Sequence, residues 1–359
     1  MFPVIHCNCR LSHAGPKPTP EVACAIADDQ ALIPMTPTAK KWNHVFGPVP
    51  SRRLGLSLGV DVIPRKVCTL DCVYCEVGMT DKRALRRREY FPAESIVAEV
   101  QEALAQHTPL DYISFSGSGE PTLNLKLGEI IRAVKQMTSI PVGVITNGTL
   151  LYLEDVRFDL LAADVVLPSL DAVTQEVFER IDRPHPSLRI DTIIEGLRKF
   201  RGEYKGQLWL EILFAAGYND HQAEVLKMKD VVELLQPDKI HLNTVIRPPS
   251  EQDVMPVSQD RLKEIQALFG PRCEIVGVFD KHHAAKEPSV SYTQVLSLLE
   301  RRAMTVDGLA EAMGASKEAV LEILQSMEEA GQAESFDHQK ERHFRAVVNG
   351  DPEERVHGS

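Results

Sequence analysis

The sequence predicts an α/β protein: an open, partial (β/α)6 barrel followed by a small winged helix-turn-helix-like domain. Three observations lead there. Between Leu58 and Leu268, short apolar runs alternate six times with helical stretches, the rhythm of a parallel sheet with right-handed crossovers. Each run is apolar throughout, as strands are when both faces are covered. Six units fall short of the eight that close a full barrel, and a different pattern, three helices and a hairpin, occupies residues 291–350.

At 359 residues, 43% hydrophobic and 25% charged, the composition is that of an ordinary soluble protein, long enough for one large domain and a small one. No apolar run approaches the roughly 18 residues of a membrane span. The N-terminus lacks a basic segment followed by an apolar core, so no secretory signal is expected. Seven cysteines is an odd number, which favours a reducing, cytoplasmic setting over a disulfide framework. The net charge of −11 gives no general attraction to nucleic acid, although it leaves room for a local basic patch.

Residues 1–42 are proline-rich, lack periodicity and read as a poorly ordered extension. Cys7, Cys9 and Cys24, with Cys273, would suffice for an auxiliary cluster, although scattered cysteines are usually plain thiols. The barrel is expected over 43–280. It opens on Val45–Gly55, a glycine–proline run with a double arginine. That run is either a solvated turn or a segment whose Arg52 or Arg53 meets a carboxylate or phosphate.

The expected strands are Leu58–Ile63, Tyr112–Phe115, Val142–Ile145, Val165–Leu167, Leu208–Phe214 and Ile240–Val245, with Glu274–Phe279 at an edge. The expected helices are Ala93–Gln106, Leu125–Gln136, Leu153–Ala162, Ile190–Phe200, Ala223–Leu235 and Gln259–Leu268. In such folds the chemistry gathers at the C-terminal ends of the strands.

The first strand leads into Cys68-Thr69-Leu70-Asp71-Cys72-Val73-Tyr74-Cys75. Three thiolates in one short loop converge, and soft ligands of that kind select an iron–sulfur cluster or zinc. A structural zinc would want a fourth ligand close by, and none follows. Disulfides at this spacing are geometrically poor. Three ligands to a four-iron cluster leave one iron open to a substrate or cofactor.

After the second strand comes Ser116-Gly117-Ser118-Gly119-Glu120-Pro121-Thr122, whose glycines let a ligand approach the backbone beside a carboxylate. The third strand ends at Asn147 and the fourth at Ser169 and Asp171, each either a ligand contact or a helix cap. Glu211 stands in an apolar strand, where a carboxylate is costly unless paired, so it is expected to face the cavity as a ligand contact or an ion pair. His241 and Asn243 lie in the sixth strand. Arg247-Pro248-Pro249 is a candidate lining of the mouth, and Asp182–Pro186 a candidate lid. Lys82, Arg83, Arg86, Arg87 and Arg88 put five positive charges in seven residues, either a solvated face or a phosphate contact.

Residues 281–290 read as a linker and 351–359 as a tail. Between them, over 291–350, helices are expected at Tyr292–Arg302, Val306–Met313 and Lys317–Ala330, capped by Thr305 and Ser316 and stopped by Gly314 and Gly331, before a hairpin at Glu334–Val347. The shape suggests DNA binding, but residues 291–359 hold 7 Lys and Arg against 13 Asp and Glu. That balance offers little to neutralise phosphates and favours a protein or peptide partner, or packing between domains.

The cysteine loop, with Tyr74 before its third cysteine, and Gly119-Glu120-Pro121 one strand later together resemble the radical S-adenosylmethionine (SAM) superfamily over about residues 45–280. Ser118 stands where the commonest version of the motif has glycine. The run from Gly47 to Gly55 resembles the group called Fe–S oxidoreductases, loosely related to wyosine-base synthases. The resemblance implies that Cys68, Cys72 and Cys75 hold a [4Fe-4S] cluster. It further implies that SAM is bound with contributions from Tyr74, Gly119, Glu120, Asn147, Ser169, Asp171 and Glu211. Such enzymes cleave SAM reductively to a 5'-deoxyadenosyl radical that abstracts hydrogen from a substrate. The implied partners are a flavodoxin- or ferredoxin-like electron donor and a macromolecular substrate, protein/peptide or RNA, with no membrane. The alternative is an Fe–S redox-sensing regulator with a DNA-binding winged helix.

Overall fold

The computed structural model describes residues 42–80, 82–106, 109–276 and 292–347. Nearly all of the extension expected over 1–42, the linker 281–290 and the tail 351–359 lie outside the described residues, and so do Cys7, Cys9 and Cys24.

Eight strands form one sheet in chain order. β1 (Val45–Ser51) is antiparallel to β2 (Gly55–Val60). From there every neighbour is parallel: β3 (Tyr112–Phe115), β4 (Val142–Thr146), β5 (Val165–Pro168), β6 (Gln207–Phe214), β7 (Lys239–Thr244) and β8 (Cys273–Ile275). The crossovers carry α1 (Ala93–Gln106), α2 (Leu127–Met137), α3 (Glu154–Leu160), α4 (Gln175–Ile181), α5 (Ile190–Glu203), α6 (Gln222–Leu235) and α7 (Gln259–Phe269). The six expected β/α units are present, and β1 and β8 leave the sheet open at its two edges. Sequential strand order with right-handed crossovers puts every helix on one face.

Side-chain alternation then sorts the sheet. Ile113, Phe115, Val142, Val144, Val166, Leu208, Leu210, Ile212, Ile240 and Leu242 join the large core shared with the helices. Their neighbours Tyr112, Ile145, Val165, Leu167 and Trp209 turn the other way and pack with Leu54 in a small separate cluster inside the barrel. The same inward parity falls to Ser169, Glu211, His241 and Asn243. An apolar run covered on both faces can therefore still present a polar group inward at its C-terminal end.

Val45–Gly55 is not a solvated turn. It is edge strand β1 plus a tight turn into β2, closed by the Ser51 hydroxyl, which accepts from the amides of Arg53 (3.4 Å) and Leu54 (3.3 Å). Prolines are tolerated at an edge because only one side of the strand is paired. The register gains one residue in β1 between Phe46 and Val49, a bulge that reverses the facing of the strand. Val45 thus points into the barrel core, while Val49 points away from it.

The C-terminal elements are α8 (Tyr292–Leu299), β9 (Met304–Thr305), α9 (Val306–Met313), α10 (Lys317–Glu329), β10 (Ala333–His338) and β11 (Glu341–Ala346). The three strands make an antiparallel sheet in the order β10-β11-β9. Both expected caps form: Thr305 Oγ1 accepts from Gly308 N at 3.0 Å and Ser316 Oγ from Ala319 N at 3.2 Å. Their core of Leu298, Leu309, Val320, Leu324 and Phe344 is completed by Val49 and Phe46 of β1.

Candidate functional site

The cysteine loop leaves the C-terminal end of β2 and is tied down by its neighbours. Lys66 N donates to Ser118 O (2.7 Å) and Glu120 N to Val67 O (2.9 Å), joining it to the loop after β3. Asp71 N donates to Asp182 O (3.0 Å) and Val73 N to Ile181 O (2.9 Å), joining it to the end of α4. The Ser250 hydroxyl lies 2.9 Å from the carbonyls of both Cys72 and Val73, a tie to the segment after β7. Cys68, Cys72 and Cys75 are free, half-buried thiols.

These residues fit an iron–sulfur cluster. Burial, helped by the nearby Glu120 carboxylate, pushes the Cys68 thiol up to about 12. Burial, with Asp182, also raises Cys72 well above its ordinary value. Thiols so placed are poor nucleophiles, whereas a bound metal holds a coordinating thiol deprotonated. Nitrogen donors already aim at two sulfurs: Asn147 Nδ2 lies 3.5 Å from Cys68 Sγ and Lys66 Nζ 3.4 Å from Cys75 Sγ. Such contacts are among those that tune cluster potential. Among the described residues no three His, Cys, Asp or Glu are placed to share a single ion.

Four of the seven residues expected around SAM gather at one small cavity. Tyr74, Asn147, Ser169 and Asp171 line a space of about 40 Å³ together with Thr149 and Asp182. Asn147 is fixed from both ends: its Nδ2 donates to Thr69 Oγ1 (2.8 Å) and its Oδ1 accepts from Thr149 N (3.1 Å) and Oγ1 (2.7 Å). The Tyr74 hydroxyl donates to Asp171 and lies 3.4 Å from Asp182. Asp171 also accepts from Leu213 N at 2.7 Å, so β6 and the cysteine loop meet through one carboxylate. Burial pushes both Asp171 and Asp182 towards the protonated form, and the charge of Asp182 adds to the shift of Asp171.

Gly119 and Glu120 are not among the residues that line that cavity. Glu120 is buried and already receives four donors: Thr122 N (3.0 Å), Thr122 Oγ1 (2.5 Å), Thr146 Oγ1 (2.6 Å) and Asn147 N (2.7 Å). Its first role is to brace the end of β3 against the end of β4. Burial still raises its pKa above the ordinary carboxylate value, since these bonds offset only part of the desolvation.

Glu211 faces inward and is paired with Arg53 from the β1–β2 turn, while Asn243 Nδ2 lies 3.3 Å from the same oxygen. Both alternatives for this stretch of sequence are thus joined, because the arginine of the double-arginine run is the partner of the buried glutamate. Arg52 Nη1 donates to Asn243 Oδ1 at 3.2 Å. The segment at 182–186 is a wall rather than a free lid. His185 N donates to Thr69 O (2.9 Å), and Arg183 Nη1 pairs with Glu251 Oε1 at 2.6 Å. In the basic loop, Arg87 is spent on Asp155 and Asp159, and Arg83 on the Arg183 carbonyl at 2.9 Å.

Sequence reasoning missed Asp61, which follows β2 in an apolar run as Glu211 stands in one. The same cost argument would have found it. Its Oδ2 accepts from Ser118 N (3.0 Å) and Oγ (2.6 Å), holding the Gly117–Glu120 turn from behind.

Residues 62–228 match the family model of the Radical SAM superfamily. A UPF0026 protein of Methanocaldococcus jannaschii is 40% identical over 234 residues, 65% of this chain and 72% of that protein. GTPase Obg of Brachyspira hyodysenteriae is 36% identical over 299 residues, 82% of this chain; the chain spans only 44% of that longer protein. A solved structure of TYW1 with a lysine–pyruvate adduct bound is 19% identical, with a TM-score of 0.47, covering 62% of this chain and 75% of that one. The chain belongs to the UPF0026 family and is a radical SAM enzyme, using a [4Fe-4S] cluster and SAM.

Proposed function

We propose that Cys68, Cys72 and Cys75 hold the cluster and that the strand ends from β3 to β6 bind SAM for hydrogen abstraction from a substrate at the barrel mouth. When bound, the cluster supplies one electron that splits SAM into methionine and a 5'-deoxyadenosyl radical. The observation that carries this reading is the tethering of the three-thiol loop to three neighbouring segments, with nitrogen donors aimed at two of its sulfurs. Asn147, Ser169 and Asp171 offer hydroxyl, amide and carboxylate groups to the ribose. The Gly119 backbone meets the SAM amino group, and Glu120 braces that turn. Tyr74 fixes the third cysteine relative to Asp171. The reduced cluster suits a reducing, cytoplasmic setting and calls for a flavodoxin- or ferredoxin-like donor. Among the described residues, no helix is long and apolar enough to cross a membrane. An RNA substrate draws less support from the loop at 82–88 than its composition suggests, because Arg83 and Arg87 are engaged internally.

The test is anaerobic reconstitution with iron and sulfide, followed by SAM and dithionite, with 5'-deoxyadenosine quantified in wild type and Cys72→Ala. Product that depends on Cys72 is expected. A protein that assembles no cluster would refute the assignment.

A further inference from the structure

We propose that Arg52, Arg53, Arg247 and Arg302 form a binding site, beside the cysteine loop, for an oxyanion of the substrate, a carboxylate or a phosphate. The proposal deepens the reading above and rests on it for the site's place in the reaction. The four arginines come from three distant segments: the β1–β2 turn, the stretch after β7, and the connection between α8 and β9. Arg52, Arg247 and Arg302 meet around Glu76, the residue directly after Cys75, and Arg53 adds its charge beside Arg52. Arg247 Nη1 lies 2.9 Å from Glu76 Oε2 and 3.3 Å from Oε1, and Arg52 Nη2 lies 3.8 Å from Oε1. Arg53 is occupied by Glu211.

Arg302 makes no hydrogen bond or ion pair with any described residue, although it feels Glu76 and all three other arginines. Among the described residues four guanidinium groups thus face two carboxylates, Glu76 and Glu211, and the second is committed to Arg53.

Burying an excess of like charge is unfavourable unless something compensates it. Burial first, then the charge of Arg247, pulls Arg302 down to about 9, and burial pulls Arg52 down to about 10. In both, burial is the first cause and the neighbouring guanidinium of Arg247 the second, with Glu76 pulling the other way. Arg53 Nε and Glu211 Oε2 are buried and lack a hydrogen-bond partner among the described residues as well. The guanidinium fork matches carboxylate and phosphate geometry, which a lysine cluster would not do as well. A purely structural network between the C-terminal elements and the barrel would be expected to balance its charges, and among the described residues this one does not.

The oxyanion has two possible sources, the substrate or the carboxylate of SAM itself, and the test separates them. Full-length, anaerobically reconstituted protein is titrated with inorganic phosphate, with succinate, and with SAM. Wild type, Arg302→Met, Arg302→Lys and the exposed-loop control Arg86→Met are compared by calorimetry and thermal melting. Phosphate or succinate should stabilise wild type and Arg86→Met and bind Arg302→Met roughly tenfold or more weakly, with partial rescue in Arg302→Lys. Whichever of the two probes binds names the anion class. The ligand-free melting temperature of Arg302→Met should be unchanged or higher, because an uncompensated charge has been removed. SAM affinity should be the same in all variants.

Three results would overturn the proposal: no anion binding sensitive to Arg302, a parallel loss of SAM affinity, or a lower ligand-free melting temperature for Arg302→Met. Anion binding needs no radical chemistry. A failure of SAM cleavage and a failure of this site are therefore read independently.

Discussion

Gly119 has no space for a side chain. A Cβ there would lie 2.2 Å from the Val67 carbonyl oxygen and 2.9 Å from Ile63 Cγ2. The first of these is backbone and cannot turn aside, and it belongs to the segment that delivers Cys68. Gly119→Ala should therefore destabilise the protein by about 1–3 kcal/mol, the usual cost of overpacking. It should also lower the iron and sulfide retained after reconstitution. Chemical denaturation and metal analysis check the two together, and a variant with a full cluster complement would break the link between this turn and the cysteine loop. At this scale the sequence singles out positions where chemistry demands a residue type, as in the three cysteines and the glycine beside Glu120. It was not legible where a residue works through partners brought from elsewhere. Glu120 read as a ligand contact, yet its four protein donors come from Thr122, Thr146 and Asn147, and only the folded sheet assembles them.

The β1–β2 turn shows the same limit for elements. Pro48 and Pro50 remove two backbone donors, so a pattern reading sees a solvated turn as readily as a segment whose arginine meets a carboxylate. The bulge and the one-sided pairing that make an edge strand of it depend on the rest of the sheet. Once formed, the turn is used heavily. Leu54 reaches across to Gly143 of β4, with its Cδ1 3.1 Å from where a Cβ would be. Gly55, at φ +65°, makes the bend against the Asp111 side chain. Arg53 then meets Glu211, whose side chain is only 8% exposed. Helix α4 was missed for a related reason, being seven residues whose apolar face is too short to show a period. Breaking a buried pair from one side is costly because it strands a charge. Arg53→Met should lose about 3 kcal/mol, and adding Glu211→Leu should restore much of it. A double-mutant cycle by denaturation measures the coupling; additive losses would mean that the two side chains do not depend on each other.

Over the whole molecule, the C-terminal elements are joined to the Gly117–Glu120 turn by one chain of contacts. The Arg301 guanidinium lies 4.3 Å over the Phe46 ring and donates to Ser297 O (2.7 Å) and Oγ (2.8 Å), and its Nε is 4.0 Å from Asp61 Oδ2. Asp61 in turn holds both donors of Ser118. Burial raises the Asp61 pKa above its ordinary 3.8, while the charge of Arg301 is the largest influence pulling it back. A carboxyl whose native pKa is raised binds its proton more tightly when folded. Its contribution to stability is therefore full below 3.8 and is lost as pH rises through the native value. Removing Arg301 lets the native pKa climb further, so more is lost. Arg301→Met should thus melt below wild type by a gap that is smallest in acid, where Asp61 is protonated in both states, and that widens as pH rises above 3.8. The lost contacts to Phe46 and Ser297 add a constant offset, because neither group titrates. Melting curves across that range decide the matter. A gap independent of pH would mean that Arg301 only packs against β1 and that the C-terminal elements have no electrostatic hold on the turn proposed to receive SAM.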